Sequence, residues 1–272
     1  MATPENDVVL VDVENGVATI TLNRPDVYNA WNSELQTRLF AQFDELAHDD
    51  TVRAVIITGA GKAFSSGADM EVLSEADGGT AAGSRPLLAP MWFPKPIIAA
   101  INGACAGIGL QLALMCDVRI AAQEAKFTTA FARRGLIAEH GLSWLFARLT
   151  SLAVASELLI SGRVFTGDEA GRLGVVHFAV PRDDVLSTAR AYAQDLADNV
   201  SPTAMAVIKW QMYNHYDRPL IESIDHSDDL MRQSAARPDL AEGVASFLER
   251  RKPDFAPLDH SAIPLTTFTA KE

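Results

Sequence analysis

An α/β fold is the prediction of this sequence, and three observations carry it: a hairpin signal near the start, short apolar runs alternating with helix-periodic stretches, and a last third patterned as helix. The order strand, small-residue turn, helix repeats. That repetition points to a spiral of β-β-α units, although a doubly wound sheet meets the same periodicity. A core over 1–200 and a C-terminal helical region over 201–272 are expected, the latter with amphipathic faces and no obvious core of its own.

The elements follow in chain order. Val8 to Val13 and Val17 to Leu22 are rich in β-branched residues and flank Glu14-Asn15-Gly16, which predicts a hairpin closed by a tight Asn-Gly turn. Ser33 is the expected N-cap of a helix reaching about His48, because Leu35, Leu39, Phe43 and Leu46 recur at helical spacing. Ala54 to Thr58 is a short, wholly apolar run of the kind covered on both faces of a parallel sheet. Pro96 to Ile101 repeats that pattern, Gly109 to Met115 reads as a helix, and Asp117 to Ala121 reads as a third strand. Asp77 to Pro90 is rich in Gly, Ala and Ser and predicts a loop of the sort that covers ligands. From Leu142 onward the pattern is helical except for Val176 to Val180, with Leu240 to Arg250 the plainest amphipathic stretch.

Composition narrows the function classes. At 272 residues and 48% hydrophobic, the chain can bury a large core without disulfides. Cys105 and Cys116 lie in an apolar stretch with no other Cys or His at ligand spacing, so buried core thiols in a reducing, cytoplasmic setting are expected, and no metal. The first ten residues carry no basic region followed by an apolar run, and no segment has the ~18 apolar residues of a spanning helix, so neither secretion nor a membrane is expected. A formal net charge of −12 repels polyanions and argues against nucleic acid. Any phosphate on a ligand must therefore meet local positive charge.

Two small-residue segments carry the chemistry. Gly59 to Met70, which includes Phe64-Ser65-Ser66-Gly67-Ala68-Asp69, follows the strand ending at Thr58, and such a loop can aim successive N–H groups into a cleft. Lys62 lacks the spacing of a P-loop. Asn102 to Gln111 repeats the arrangement, and a helix beginning near Gly107 to Gly109 offers unpaired N–H groups and the positive end of its dipole. An anionic oxygen is the natural ligand there, and two donors from separate loops would form an oxyanion hole.

These segments together resemble the crotonase, or enoyl-CoA hydratase/isomerase, superfamily. The likeness rests on Asn23-Arg24-Pro25 with Asn29-Ala30, the run from Ala54 to Asp69, Lys95 to Gly103, Cys116 to Ala122, Ala125-Lys126-Phe127, and Glu242 to Phe255. The resemblance implies a crotonase-like spiral of β-β-α units with a C-terminal helical trimerisation region, assembled as a homotrimer or a dimer of trimers. It implies an acyl-CoA thioester as substrate, with coenzyme A part of that substrate and no separate cofactor. The oxyanion donors carried over by it are the backbone N–H groups of Ala68 and of Ile108, beside Gly107. The loop holding Phe64, Ser66, Asp69 and Met70 would meet the adenine end of the coenzyme.

Departures from the family pattern matter as much. Its best-known hydratases use two glutamates, and the matching positions here are Gln111 and Phe131. An amide cannot transfer a proton as a carboxylate does, though it can hold water or a carbonyl. Phe131 is then an acyl-pocket wall, and Trp31, Met91, Trp92 and Trp144 are further candidates for that wall or for core. Glu139, eight residues after Phe131, matches the position of a catalytic aspartate in members that isomerise dienoyl thioesters or dehalogenate aryl thioesters. It is the leading acid/base candidate, set among Leu136, Ile137, Leu142 and Trp144, with a solvent-facing or helix-capping glutamate as the other reading. His140 would orient Glu139, bind substrate or serve structure. Asp26 and Val27 stand where many relatives carry a basic residue near the coenzyme phosphates, which leaves Arg24 and Lys62.

One carboxylate suits double-bond isomerisation better than hydration. An oxyanion hole serves thioester hydrolysis, decarboxylation and retro-Claisen cleavage equally, and loss of both glutamates is also what a non-catalytic acyl-CoA binder would display.

Overall fold

Asn15 and Gly16, with φ of 50° and 82°, take the two left-handed conformations of a tight hairpin turn and join β1 (Val9–Glu14) to β2 (Val17–Leu22). The computed structural model describes residues 7–69 and 87–264. β2 pairs parallel with β3 (Ala54–Gly59), every residue of which is buried, as its apolar run requires of a central strand. β5 (Ile97–Ile101), β7 (Val118–Ala122) and β10 (Phe178–Val180) complete a six-stranded sheet in the order β1-β2-β3-β5-β7-β10.

A second sheet has four short strands, β4 (Ala63–Ser65), β6 (Ala104–Ala106), β8 (Lys126–Thr128) and β9 (Phe165–Thr166), in that order. The chain alternates between the sheets: β3 then β4, β5 then β6, β7 then β8. Each turn adds one parallel strand to both, which resolves the two candidate topologies in favour of the spiral.

Helix α1 (Ser33–Ala47) buries Leu35, Leu39, Phe43 and Leu46 as expected, but its N-cap is Asn32, whose side chain accepts the Leu35 N–H at 2.9 Å. Ser33 is thus the first helical residue, because the longer Asn side chain one position earlier reaches the orphan donor. At the far end the buried Lys95 ammonium donates to the carbonyls of Leu46 and Asp49, at 2.6 and 2.7 Å. Of the expected ligand-covering loop, only Leu87 to Pro90 lies within the described residues, where it leads into α2 (Ala89–Trp92). Helix α3 (Ile108–Met115) is buried along its whole length, followed later by α4 (Leu142–Leu149), α5 (Leu152–Ser161), α6 (Gly167–Arg172) and α7 (Val185–Asn199).

The main hydrophobic core runs from Val9 to Ala197. Helices α8 (Pro202–His215), α9 (Leu220–Ala235) and α10 (Pro238–Glu249) follow, and α8, α9 and the turn at His260–Ala262 share a small cluster of their own, Val207, Trp210, Leu230 and Ala262, where the sequence suggested none. Lys209 fastens α8 to the core: its ammonium lies 2.7 Å from the Asp117 carboxylate, which also accepts the Ile97 N–H at 2.7 Å. Among the described residues no helix is long and apolar enough to cross a membrane.

Candidate active site

Strands β4, β6 and β8 are parallel neighbours, so their C-terminal ends open on the same side of the sheet. Ligands in α/β proteins collect at such ends. Ser65 is followed by the bend at Gly67, Ala106 by the bend at Gly107, and Thr128 by the segment reaching Phe131 and Glu139. Sheet register therefore brings together loops that are far apart in sequence.

The first two bends touch. A Cβ on Gly67 would stand 3.0 Å from the Ala106 carbonyl oxygen and 3.6 Å from the Gly107 Cα. Gly67 has φ 93°, and Gly107 has φ 50° with ψ −121°, conformations that a side chain makes costly. Farther along, a Cβ on Gly109 would come within 2.6 Å of the Ser65 Cβ, so the missing side chain lets α3 settle against β4.

The two candidate donors leave these bends with no partner in the surrounding ladders. Ala68 forms an isolated parallel bridge with Trp31, in which Trp31 donates to the Gly67 carbonyl at 2.8 Å and Asp69 donates to the Trp31 carbonyl at 2.9 Å. In parallel pairing the bridged residue's own N–H points away from its partner strand. The Ala68 N–H accordingly faces away from Trp31 and has no acceptor among the described residues. Ile108 is the first residue of α3; Gln111 takes the Gly107 carbonyl at 3.0 Å, and the Ile108 N–H has no intrahelical acceptor. The Gly107 N–H, by contrast, is occupied by the Thr128 carbonyl at 3.1 Å.

The Glu139–His140 turn is linked to α3 through Gln111, one helical turn after Ile108. The Gln111 side chain is 1% exposed, and its Nε2 donates to the His140 carbonyl at 3.0 Å. His140 and Gly141, with φ of 48° and 76°, form a left-handed turn closed by the Leu142 N–H on the Glu139 carbonyl at 2.9 Å. The Glu139 carboxylate lies 3.4 Å from His140 Nε2, and both side chains are largely covered. The expected apolar surround is only half present. Leu142 is buried, whereas Leu136 and Ile137 are 36% and 80% exposed, since they sit on the outer side of the loop after Phe131.

Other candidates divide. Phe131 is buried at the start of that loop, consistent with a wall position. The Phe64 ring is fully buried in the main core, so this residue could meet a ligand only through its main chain. Ser66 is exposed, with its hydroxyl 3.4 Å from the Val27 carbonyl. Met70 lies outside the described residues. Arg24 is held internally, its guanidinium donating to the Ala30 carbonyl and lying 3.1 Å from the Asp69 carboxylate, so this ion pair braces the Ala68 bend. Lys62 is exposed. Trp31 is core, its Nε1 donating to Gln36; Trp144 stacks under Arg148, 3.8 Å from ring centroid to guanidinium carbon. Met91 and Trp92 line a cavity of about 220 Å³ shared with α8.

Asn29 is a residue to which the sequence analysis assigned no role. Wholly buried at φ 55°, it donates to the carbonyls of Ala60 and Ala63 and accepts the Arg24 N–H, while its own carbonyl receives the Ser65 hydroxyl. It is the clamp between the Arg24 loop and β4, and only its place six residues from Asn23 hinted at it. Burial pushes the Cys116 thiol up to about 12 and the Cys105 thiol well above its ordinary value, which makes both inert. Among the described residues no three His, Cys, Asp or Glu gather as for a metal.

Comparison with known proteins agrees with this geometry. The enoyl-CoA hydratase/isomerase family model matches residues 12–257. The 1,2-epoxyphenylacetyl-CoA isomerase of Escherichia coli is 34% identical over 257 residues, covering 91% of this chain and 97% of that protein. The crystal structure of an enoyl-CoA hydratase from Bacillus anthracis superposes with a TM-score of 0.86 at 29% identity, over 92% of this chain and 99% of that one. An enoyl-CoA hydratase from Mycobacterium marinum is 46% identical, with a TM-score of 0.68 over 76% of this chain and 98% of that one.

Proposed function

Because this chain belongs to the enoyl-CoA hydratase/isomerase family, with the crotonase-like spiral of its relatives, we propose that it isomerises the double bond of an acyl-CoA thioester by way of an enolate. One observation carries the reading: the bends at Gly67 and Gly107 touch, and each is followed by a backbone N–H that no ladder uses. A thioester oxygen between the Ala68 and Ile108 amides gains negative charge as the adjacent carbon loses its proton, and two fixed donors favour that charge.

Glu139 then does the proton work. Its carboxylate takes a proton from the α or γ carbon, the electron pair shifts onto the thioester oxygen, and the proton returns at the other carbon. His140, 3.4 Å away, orients the carboxylate. Gln111 has no exchangeable carboxyl proton, and one of its two Nε2 hydrogens is given to the His140 carbonyl. Phe131 bounds the acyl group, and the exposed Lys62 meets the coenzyme phosphates.

The test is turnover of 2-enoyl- and 3-enoyl-CoA by the wild type and by Glu139→Gln. Removing the base is expected to lower kcat by ~10²–10⁴-fold. Undiminished turnover by the variant removes Glu139 from the mechanism. A second reading is hydration, which relatives' names favour and for which the buried, unpartnered Gln111 Oε1 is an acceptor for water. Mass spectrometry of the product separates a gain of water from isomerisation, and equally exposes hydrolysis, decarboxylation or carbon–carbon cleavage.

The same proposal takes residues 1–200 as the catalytic core and 201–272 as the assembly region of a homotrimer or dimer of trimers. The separate small cluster in the latter supports it, as do Phe247 and Leu248, which are 82% and 73% exposed. Two buried free thiols support a reducing, cytoplasmic setting.

A further inference from the structure

We infer that Gln111 is a positioning residue whose side-chain N–H, donated to the His140 carbonyl, holds the Glu139–His140 turn in the conformation from which Glu139 acts. This rests on the reading of Glu139 as the acid/base.

Gln111 is 1% exposed, its Nε2 donates at 3.0 Å, and its Oε1 is buried with no partner among the described residues. Packing alone does not account for such a residue. A methionine would fill the same space without stranding an oxygen, so the position gains from the donor. The acceptor is the main chain of a non-glycine residue at φ 48°, followed by Gly141 at 76°. A left-handed residue persists only where its surroundings hold it. The turn's own bond, Leu142 N–H to Glu139 carbonyl, holds it within the loop. The Gln111 bond is its link to α3, and so to the Ile108 amide one turn away.

A carboxylate at this place would fail above its own pKa. Ionised, it has no hydrogen to donate and sets negative charge against a carbonyl oxygen; protonated, it donates as the amide does. Gln111→Glu therefore makes the tether pH-dependent, while Gln111→Met removes it. The titratable groups on elements packed against α3 are Cys105 on β6, Arg148 on α4, and Glu139 and His140 on the tethered turn. All of them are retained in both variants, so the ratio of variant to wild type at each pH isolates position 111.

The experiment measures kcat and KM on the enoyl-CoA thioester that the wild type turns over, from about pH 5 to 9, for wild type, Gln111→Met, Gln111→Glu and Glu139→Gln. Gln111→Met is expected to lose ~10–100-fold in kcat at every pH with KM nearly unchanged. Gln111→Glu is expected to match the wild type at the acid end and to fall toward the methionine variant as its carboxyl ionises, at a pKa raised by burial. Since that comparison lies within one protein, it stands even where the methionine variant does not fold. A Gln111→Glu variant that keeps a constant ratio to wild type, or gains activity at the alkaline end, overturns the inference, as does a folded Gln111→Met with wild-type kcat. Full activity in Glu139→Gln defeats the underlying reading instead; an inactive Glu139→Gln beside pH-insensitive, active Gln111 variants defeats only the tether.

Discussion

Gly107 joins β6 to α3 at φ 50° and ψ −121°, and the next N–H along the chain is the Ile108 donor. A Cβ there would meet nothing nearer than the Gly67 Cα at 3.7 Å, so space is available and the backbone angles are not. Gly107→Ala is expected to cost ~1–3 kcal/mol of stability by strain. Relief of that strain turns the Ile108 amide, and loss of one oxyanion donor is expected to lower kcat by ~10²–10³-fold. Urea unfolding and turnover assays measure the two effects separately. In the proposed mechanism Ala68 and Ile108 act through the main chain, so side-chain substitutions there are expected to leave the donors in place and alter only the shape around them.

Two elements carry predictions of their own. Helix α8 is fastened by Lys209 to Asp117, whose carboxylate also serves the Ile97 N–H at the start of β5. Lys209→Met leaves that carboxylate short of its charged donor, and a loss of about 2 kcal/mol in urea unfolding is expected. Strand β10 is tied to β7 through His177, whose ring is exposed at its outer edge while Nδ1 accepts the Arg119 N–H at 3.1 Å. Burial of that inner side, then the Arg119 charge, holds its pKa below the ordinary value. Between the lowered folded value and the ordinary ~6.5, the unfolded chain binds a proton that the folded chain does not, so stability rises with pH through this window and is lost on acidification. Thermal melts from about pH 7 down to 5 are expected to show this slope in the wild type and a shallower one in His177→Gln. At this scale the sequence was legible where strands are long and apolar. β2 begins and ends where its pattern does, and β3, β5 and β7 fall within a residue of theirs. β4, β6, β8 and β9 have two or three residues each, too few to display a period, and exist because a neighbouring turn of the spiral offers them an edge. The site was readable for a different reason. The candidate donors follow small-residue bends that stand out in any sequence, whereas Asn29 and Gln111 act through single side-chain amides whose partners are carbonyls far along the chain.

Over the whole molecule, polarity is uneven. The C-terminal helices turn Leu220, Ile221, Met231, Phe247 and Leu248 outward, each at least 60% exposed, on a chain whose net charge is −12. Large exposed apolar side chains of this kind make these helices the place to test for the proposed assembly contact. Phe247→Glu is expected to shift the sedimentation coefficient from that of an assembly to that of a monomer while the far-ultraviolet circular dichroism stays unchanged; an unaltered coefficient would place the contact elsewhere. Within the subunit, the two bends face each other because β4 and β6 run side by side, with one irregularity in register between Ala63 and Ser65. One residue inserted into either strand would slide its bend by ~3.3 Å past the other and turn the following amide to the opposite face. Strand length, as much as the glycines that end each strand, thus fixes where the two amides stand.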